Sequence, residues 1–114
     1  MRDTTGNGMD NMKHYDKAVR DRIPQIIREQ GKTCTTKTLN DQEFLPYLET
    51  KLTEELNEYK ESRDFMELAD LLEVLNRILE IRGSSFDELD NLRLSKKKKR
   101  GGFNENRVLL TVQE

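Results

Sequence analysis

Two pairs of carboxylates dominate the middle of the chain. Glu55 with Glu58, and Glu67 with Asp70, each stand three residues apart in KLTEELNEYKESRDFMELADLLEVLNRIL, residues 51–79. Carboxylates at i and i+3 share one helix face, so each pair can converge on a single ion. Gathered near a packed interface, four such groups repel one another unless they are protonated or bound to a cation. An all-oxygen donor set favours a hard ion, Mg²⁺ first, with Mn²⁺ a natural substitute. Ca²⁺ usually takes more protein oxygens. A di-iron helical site normally uses Glu-x-x-His pairs, and the one histidine, His14, lies far off near the N-terminus. The bland alternative is a solvated acidic surface.

Helical phase favours the inward reading. At about 100° per residue, with Glu55 at zero, Phe44, Leu48 and Tyr59 fall at about −20°, 20° and 40°. Leu52, Leu45 and Leu56 follow, out to about 100°. Glu55 therefore lies inside the apolar arc, and Glu58, at about −60°, lies on its border. With Glu67 at zero, Ile81, Val74 and Ile78 fall at about −40°, −20° and 20°, and further leucines continue to about 140°. Asp70 again takes the border position at about −60°. Matching phases on two helices with a short connection place both pairs at one antiparallel interface. Glu49, Glu61 and Glu80 fall on outer faces. Glu54, at about −100°, turns away from the arc, and its role stays open. Glu67 has a second reading, closing a capping box with Asp64.

The elements that position these groups follow from local signals. Residues 1–12, rich in Gly, Asn, Thr and Asp, read as a disordered leader to a single domain over 13–114. YDKAVRDRIPQIIREQGK starts extended and becomes a short amphipathic helix through Ile23, Ile26 and Ile27, stopped by Gly31. The β-branched TCTTKTL reads as a short strand. Asn40 and Glu43 form a capping box for a helix running to about residue 61. Pro46 sits either in its opening turns or at its true first position after a separate turn. A second long helix runs from Asp64 to Arg82, with Gly83 as its stop. Ser85 and Glu88 open a third, reaching Lys99 or Arg100 before Gly101 and Gly102. RVLLTV closes the chain as a strand. The expected fold is all-α: an antiparallel helical bundle of one short and three longer helices, with short β segments at the ends.

At 114 residues, 33% hydrophobic and 37% charged, the chain has room for only a thin core. Met66 and Ala69 widen the apolar arc of the second long helix beyond what one antiparallel partner covers. That predicts a homodimer or tetramer through residues 66–81. The single Cys34 excludes an intramolecular disulfide and a thiolate metal site, and suits a reducing compartment. With no signal-type apolar segment and no apolar run of about 18 residues, a cytoplasmic protein without a membrane partner is expected.

Charge is unevenly spread: residues 41–90 carry 15 acidic and 5 basic side chains, whereas residues 91–107 carry 7 basic and 1 acidic. An acidic middle and a basic end suggest a cation site beside an anion site. In SKKKKRGGF, Lys97 and Arg100 share a helix face and suit a polyphosphate. The same cations also complement the helix dipole, or would hold nucleic acid nonspecifically, the less favoured partner. Arg20 and Arg22 in VRDRIP are further phosphate candidates. Their alternative is that Asp21 caps the following helix while Arg20 pairs with a neighbouring carboxylate.

EELNE at 54–58 followed by ELAD at 67–70 resembles the EExxE…ExxD signature of the all-α nucleoside triphosphate pyrophosphohydrolases, the MazG-like and phosphoribosyl-ATP pyrophosphohydrolase group. KAVRDRIPQII at 17–27 is similar to the KLVRDKIPEII opening of a small MazG-like subgroup, and KKRGGF at 98–103 to its closing segment. The resemblance covers about residues 15–110, and the order of the three blocks is more specific than the carboxylates alone. Only eight residues separate Glu58 from Glu67, fewer than is common in the wider superfamily. The resemblance implies Mg²⁺-dependent cleavage between the α and β phosphates of a nucleotide, giving a monophosphate and pyrophosphate. It implies that Glu55, Glu58, Glu67 and Asp70 hold the metal. With no suitably placed histidine, a carboxylate, Glu55, is the expected general base. Arg20, Lys97 and Arg100 are the expected phosphate contacts. The rivals are a noncatalytic helical module with a structural cation site and a basic-tail nucleic-acid binder.

Overall fold

Side-chain caps set where the long helices begin. In the computed structural model, which describes residues 12–114, the elements are α1 (Ile23–Glu29), α2 (Asp41–Ser62), α3 (Phe65–Ile81) and α4 (Phe86–Arg100). Except for Met12, the expected leader lies outside the described residues. The Asn40 side chain accepts from Glu43 N at 2.8 Å, and Glu43 accepts from Asn40 N at 3.3 Å, completing the capping box of α2. Ser85 accepts from Glu88 N at 3.2 Å to open α4. Pro46 lies inside α2, the first of its two expected placements. It supplies no N–H for the carbonyl of Gln42, whose residue is exposed to water at the start of the helix.

α2 and α3 form the packed unit, an antiparallel pair joined by Arg63 and Asp64 alone. Arg63 makes the turn in the left-handed region at φ 59, and its N–H donates to Tyr59 O at 2.7 Å. Leu48, Val74 and Ile78 are buried between the two helices, with Phe44, Leu45, Leu52 and Ile81 packed against them. Each such buried side chain contributes about 1.5–3 kcal/mol from its removed apolar surface. The segment before α1 crosses this pair. Ala18 is buried, and Tyr47 OH donates to Asp16 Oδ1 at 2.8 Å.

Two expectations need correction. Within one chain the packed unit is a helical hairpin with a crossing segment, not a multi-helix bundle, because α4 leaves α3 after Arg82–Ser85 and buries no residue. Among the described residues there is also no strand: residues 33–39 and 107–112 are unpaired. β-branched content favours an extended chain, but a strand forms only where a neighbour takes its backbone hydrogen bonds. Val108, Leu109 and Leu110 stand exposed with no such neighbour. Among the described residues, no helix is long and apolar enough to cross a membrane.

Candidate metal centre

The helical phases hold in three dimensions. Glu55 is only 6% exposed and is the buried charged residue of the described chain, set among the side chains that join α2 to α3. Its carboxylate belongs to two clusters. One comprises Glu54, Glu55 and Glu58, the other Glu55, Glu67 and Asp70, and in each an oxygen from every member lies within 4.8 Å of the others. The four carboxylates expected from the sequence therefore converge, with Glu55 common to both groups.

Glu67 reaches the site because it does not cap its helix. The Asp64 side chain accepts from Met66 N at 3.0 Å, while Asp64 N donates to Ser62 Oγ at 3.1 Å. The Asp64 amide is thus satisfied without the Glu67 carboxylate, and because the Asp64 side chain takes the Met66 amide instead of that of Glu67, neither half of the capping box forms. Glu67 Oε2 and Glu55 Oε2 are instead buried with no hydrogen-bond partner. An unpartnered buried carboxylate oxygen is costly, and a proton or a cation is what removes the cost.

Two flanks supply positive charge. Lys51 Nζ lies 2.9 Å from Glu54 Oε1 and 3.7 Å from Glu55 Oε1, and Lys17 Nζ lies 3.5 Å from Glu54 Oε1. On the other side, Arg20 donates to Asp70 Oδ1 at 2.7 Å. Of the two readings of VRDRIP, the pairing of Arg20 with a carboxylate is the one observed. Asp21 is not the cap, since Arg22 occupies that position of α1 without a side-chain bond.

The electrostatics divide the carboxylates. The Lys51 hydrogen bond holds Glu54 below the ordinary carboxylate range. Burial, then the neighbouring charge of Glu58, pushes Glu55 up. Glu67 is raised by desolvation of its carboxylate and then by Glu58 and Asp70. Burial works against the Lys51 ammonium, but its Glu54 hydrogen bond and the surrounding negative charge outweigh that and raise it. The site is thus short of positive charge at Glu55 and Glu67, the two residues with orphaned oxygens.

A groove runs along the outer flank of α2. One part, about 510 Å³, is lined by Thr50, Thr53, Asn57 and the carboxylates Glu54, Glu58 and Glu61. A second part, about 280 Å³, lies between Lys17, Lys51, Tyr47 and Asp16 and shares Thr50 and Glu54 with the first. The groove places hydroxyl, amide and ammonium groups beside the carboxylate clusters, but its carboxylates outnumber Lys17 and Lys51, so an anionic ligand would fit only together with bound cations.

Lys51 and Lys17 were missed by the sequence reading, which left the role of Glu54 open. The i−3 and i−4 spacing of Lys51 to Glu54 and Glu55 was a readable signal. Lys17 arrives from a distant segment and left none. Lys97 and Arg100 are not brought to the clusters within one chain. Both are exposed on α4, and among the described residues neither makes an ion pair with the clusters. The basic end instead folds on itself locally: a Cβ on Gly102 would lie 3.3 Å from Lys97 Cε and 3.0 Å from Asn104 Oδ1.

Over 42 residues the chain is 48% identical to an uncharacterized protein of Mycolicibacterium smegmatis (strain ATCC 700084 / mc(2)155), a stretch covering 37% of this chain. The match takes in 43% of that protein, less than half its length. No family model matches the chain, and no solved structure matches it.

Proposed function

We propose that the chain is a Mg²⁺-dependent nucleotide pyrophosphohydrolase, cleaving the α–β phosphoanhydride of a nucleoside triphosphate or related nucleotide. The observation that carries this reading is the pair of buried, unpartnered oxygens, Glu55 Oε2 and Glu67 Oε2, where two carboxylate clusters meet. The all-oxygen donor set fits Mg²⁺ or Mn²⁺. The two clusters, sharing Glu55, suit a pair of cations, with Glu54 and Glu58 on one side and Glu67 and Asp70 on the other. Bound there, divalent ions would neutralise charge on the phosphoryl oxygens and activate a water. The order of the VRDRIP, EELNE…ELAD and KKRGGF blocks supports the same reading.

The remaining chemistry falls to side chains. Glu55 would help hold the cation and would also accept the proton of the attacking water. Its raised pKa is the direction a base working near neutrality needs. Arg20 lies on the rim, and its guanidinium, released from Asp70 were that carboxylate to hold a cation, would grip a phosphate with two parallel bonds. Lys17 and Lys51 flank the groove at the level of Glu54 and provide further positive charge for the polyphosphate. Thr50, Thr53 and Asn57 offer hydrogen bonds to the nucleoside.

Pyrophosphate release is the test, measured with Mg²⁺ over a panel of canonical and noncanonical NTPs and phosphoribosyl-ATP. Glu55→Gln and Asp70→Asn should each lower release by at least about 10²-fold. No release by the purified wild-type chain from any of these nucleotides would overturn the enzyme reading. Cation-dependent stabilisation without release would then point to the structural cation site.

A further inference from the structure

The three cations around the carboxylates are not equivalent. Lys51 is the deepest, with only 18% of its side chain exposed, against 40% for Lys17 and 56% for Arg20. Its ammonium meets two members of one cluster, Glu54 Oε1 at 2.9 Å and Glu55 Oε1 at 3.7 Å. The third member, Glu58, adds to the negative charge that holds it there. Lys17 reaches Glu54 Oε1 at 3.5 Å from the crossing segment. The cluster of Glu54, Glu55 and Glu58 therefore already contains an organic cation, backed by a second.

The cluster of Glu55, Glu67 and Asp70 is served differently. Its one cation, Arg20, bonds Asp70 from an exposed position, where water weakens the pair. Both orphaned oxygens, Glu55 Oε2 and Glu67 Oε2, belong to this cluster. The atom of Glu55 that Lys51 meets is Oε1. One buried carboxylate thus turns one oxygen to an ammonium and leaves the other without a partner.

Charge sets the capacity of the centre. Glu54, Glu55, Glu58, Glu67 and Asp70 carry five negative charges, against three positive ones on Lys17, Lys51 and Arg20. One divalent ion removes that deficit. An ion bridging Glu54 Oε1 and Glu55 Oε1 as well would stand against the Lys51 ammonium, positive against positive. It would also leave the centre with excess positive charge, which is costly in a half-buried site unless an anion enters with it. A polyphosphate is such an anion.

We propose that Lys51 is a tethered counter-ion filling the Glu54–Glu55–Glu58 cluster of the free protein. The nucleotide-free centre then takes one divalent ion, at Glu55, Glu67 and Asp70, and admits a second only together with a polyphosphate. That a nucleotide supplies the polyphosphate rests on the function proposed above; the place of Lys51 does not. Lys51 and Lys17 both line the 280 Å³ part of the groove. An ammonium released from Glu54 therefore stays beside the space a phosphate would enter, and exchanges one anionic partner for another. On this arrangement the substrate is the metal–nucleotide complex, not the free nucleotide.

The test counts ions without relying on activity. Mn²⁺ takes the place of Mg²⁺, and electron paramagnetic resonance separates an isolated ion from a coupled pair that shares a carboxylate. The full chain is titrated with Mn²⁺, with and without methylenediphosphonate, a nonhydrolysable diphosphate that carries no base. Wild type alone should bind one Mn²⁺ per chain with the spectrum of an isolated ion, and should give the coupled pair when methylenediphosphonate is added. Lys51→Met should give the coupled pair without it, its second-ion affinity raised at least about tenfold by loss of the adjacent charge. Lys17→Met, which removes the more exposed cation of the same cluster, should move in the same direction by less, and decides the matter if Lys51→Met does not fold. A coupled pair in wild type alone, no Mn²⁺ bound, no pair on adding methylenediphosphonate, or second-ion affinity unchanged in the folded variants would overturn the proposal. Chains that give the expected spectra but release no pyrophosphate from any nucleotide support the role of Lys51 and count against the enzyme reading alone.

Discussion

Glu55→Gln tests the candidate centre at the residue both clusters share, and it should reverse the order of stability when Mg²⁺ is added. Two like charges 4.8 Å apart repel by about 3.5 kcal/mol at an effective dielectric near 20. Glu55 has Glu58 and Glu67 at or inside that separation, whereas Lys17 offsets Glu54 and Arg20 offsets Asp70. Lys51, at 3.7 Å, returns about 4.5 kcal/mol of attraction on the same basis. Water screens the exposed Glu58, but removing an ionised group from burial adds to the gain. The balance is about 1–2 kcal/mol in favour of Gln in the cation-free protein. For a chain of this length, 1 kcal/mol corresponds to about 4 °C in Tm. In EDTA the variant should therefore melt about 4–8 °C above wild type. Mg²⁺ at 100 times its Kd adds about 2.7 kcal/mol to the wild type, a rise of roughly 11 °C, and little to the variant. Thermal melts followed by circular dichroism, with and without Mg²⁺, read both effects. The reasoning fails if wild type shows no Mg²⁺ shift, if the variant shows the full shift, or if the metal-free variant melts well below wild type.

The same electrostatics give a pH dependence. Glu55 and Glu67 are raised from the ordinary 4.5, so the folded state binds protons more tightly than the unfolded one. Their contribution is fully present below that value and is lost as pH rises through the raised ones. Metal-free wild type should therefore lose stability as pH climbs from 4.5 towards neutrality, and Glu55→Gln should flatten the slope in chemical denaturation. Arg20→Ala removes a half-exposed ion pair worth at most about 1 kcal/mol of stability. It leaves Asp70 free, so calorimetric Mg²⁺ affinity should rise while KM for nucleotide also rises. Leu48→Ala opens the core between α2 and α3 and should cost about 2–5 kcal/mol, read as a lower denaturation midpoint with a native-like helical spectrum.

Helix boundaries were legible because each rests on neighbours within four residues, such as Asn40 with Glu43 and Ser85 with Glu88. The inward direction of Glu55 and Glu67 was legible for a related reason, since helical phase is a local property. The same method left the role of Glu54 open. Its wheel angle measured distance from the α3 face, but the crossing segment brings Lys17 to the opposite flank and makes that flank part of the site. Docking across more than thirty residues leaves no periodic trace in the sequence. The unpaired 33–39 and 107–112 segments show a second limit. β-branched composition describes what a chain tolerates, whereas pairing depends on a neighbour that sequence spacing does not reveal.

The two-residue connection at Arg63 and Asp64 has a dynamic consequence. Glu58 and Glu67 stand about one helical turn from that tip, where helix ends fray and amides open soonest. A cation held there acts as a clasp on the hairpin, drawing together two helix ends whose like charges otherwise push them apart. Occupancy of the centre and order at the tip thus become one equilibrium. In hydrogen exchange, the amides of residues 58–68 should gain protection with Mg²⁺, while those around Val74 and Ile78, already sealed in the core, should change little.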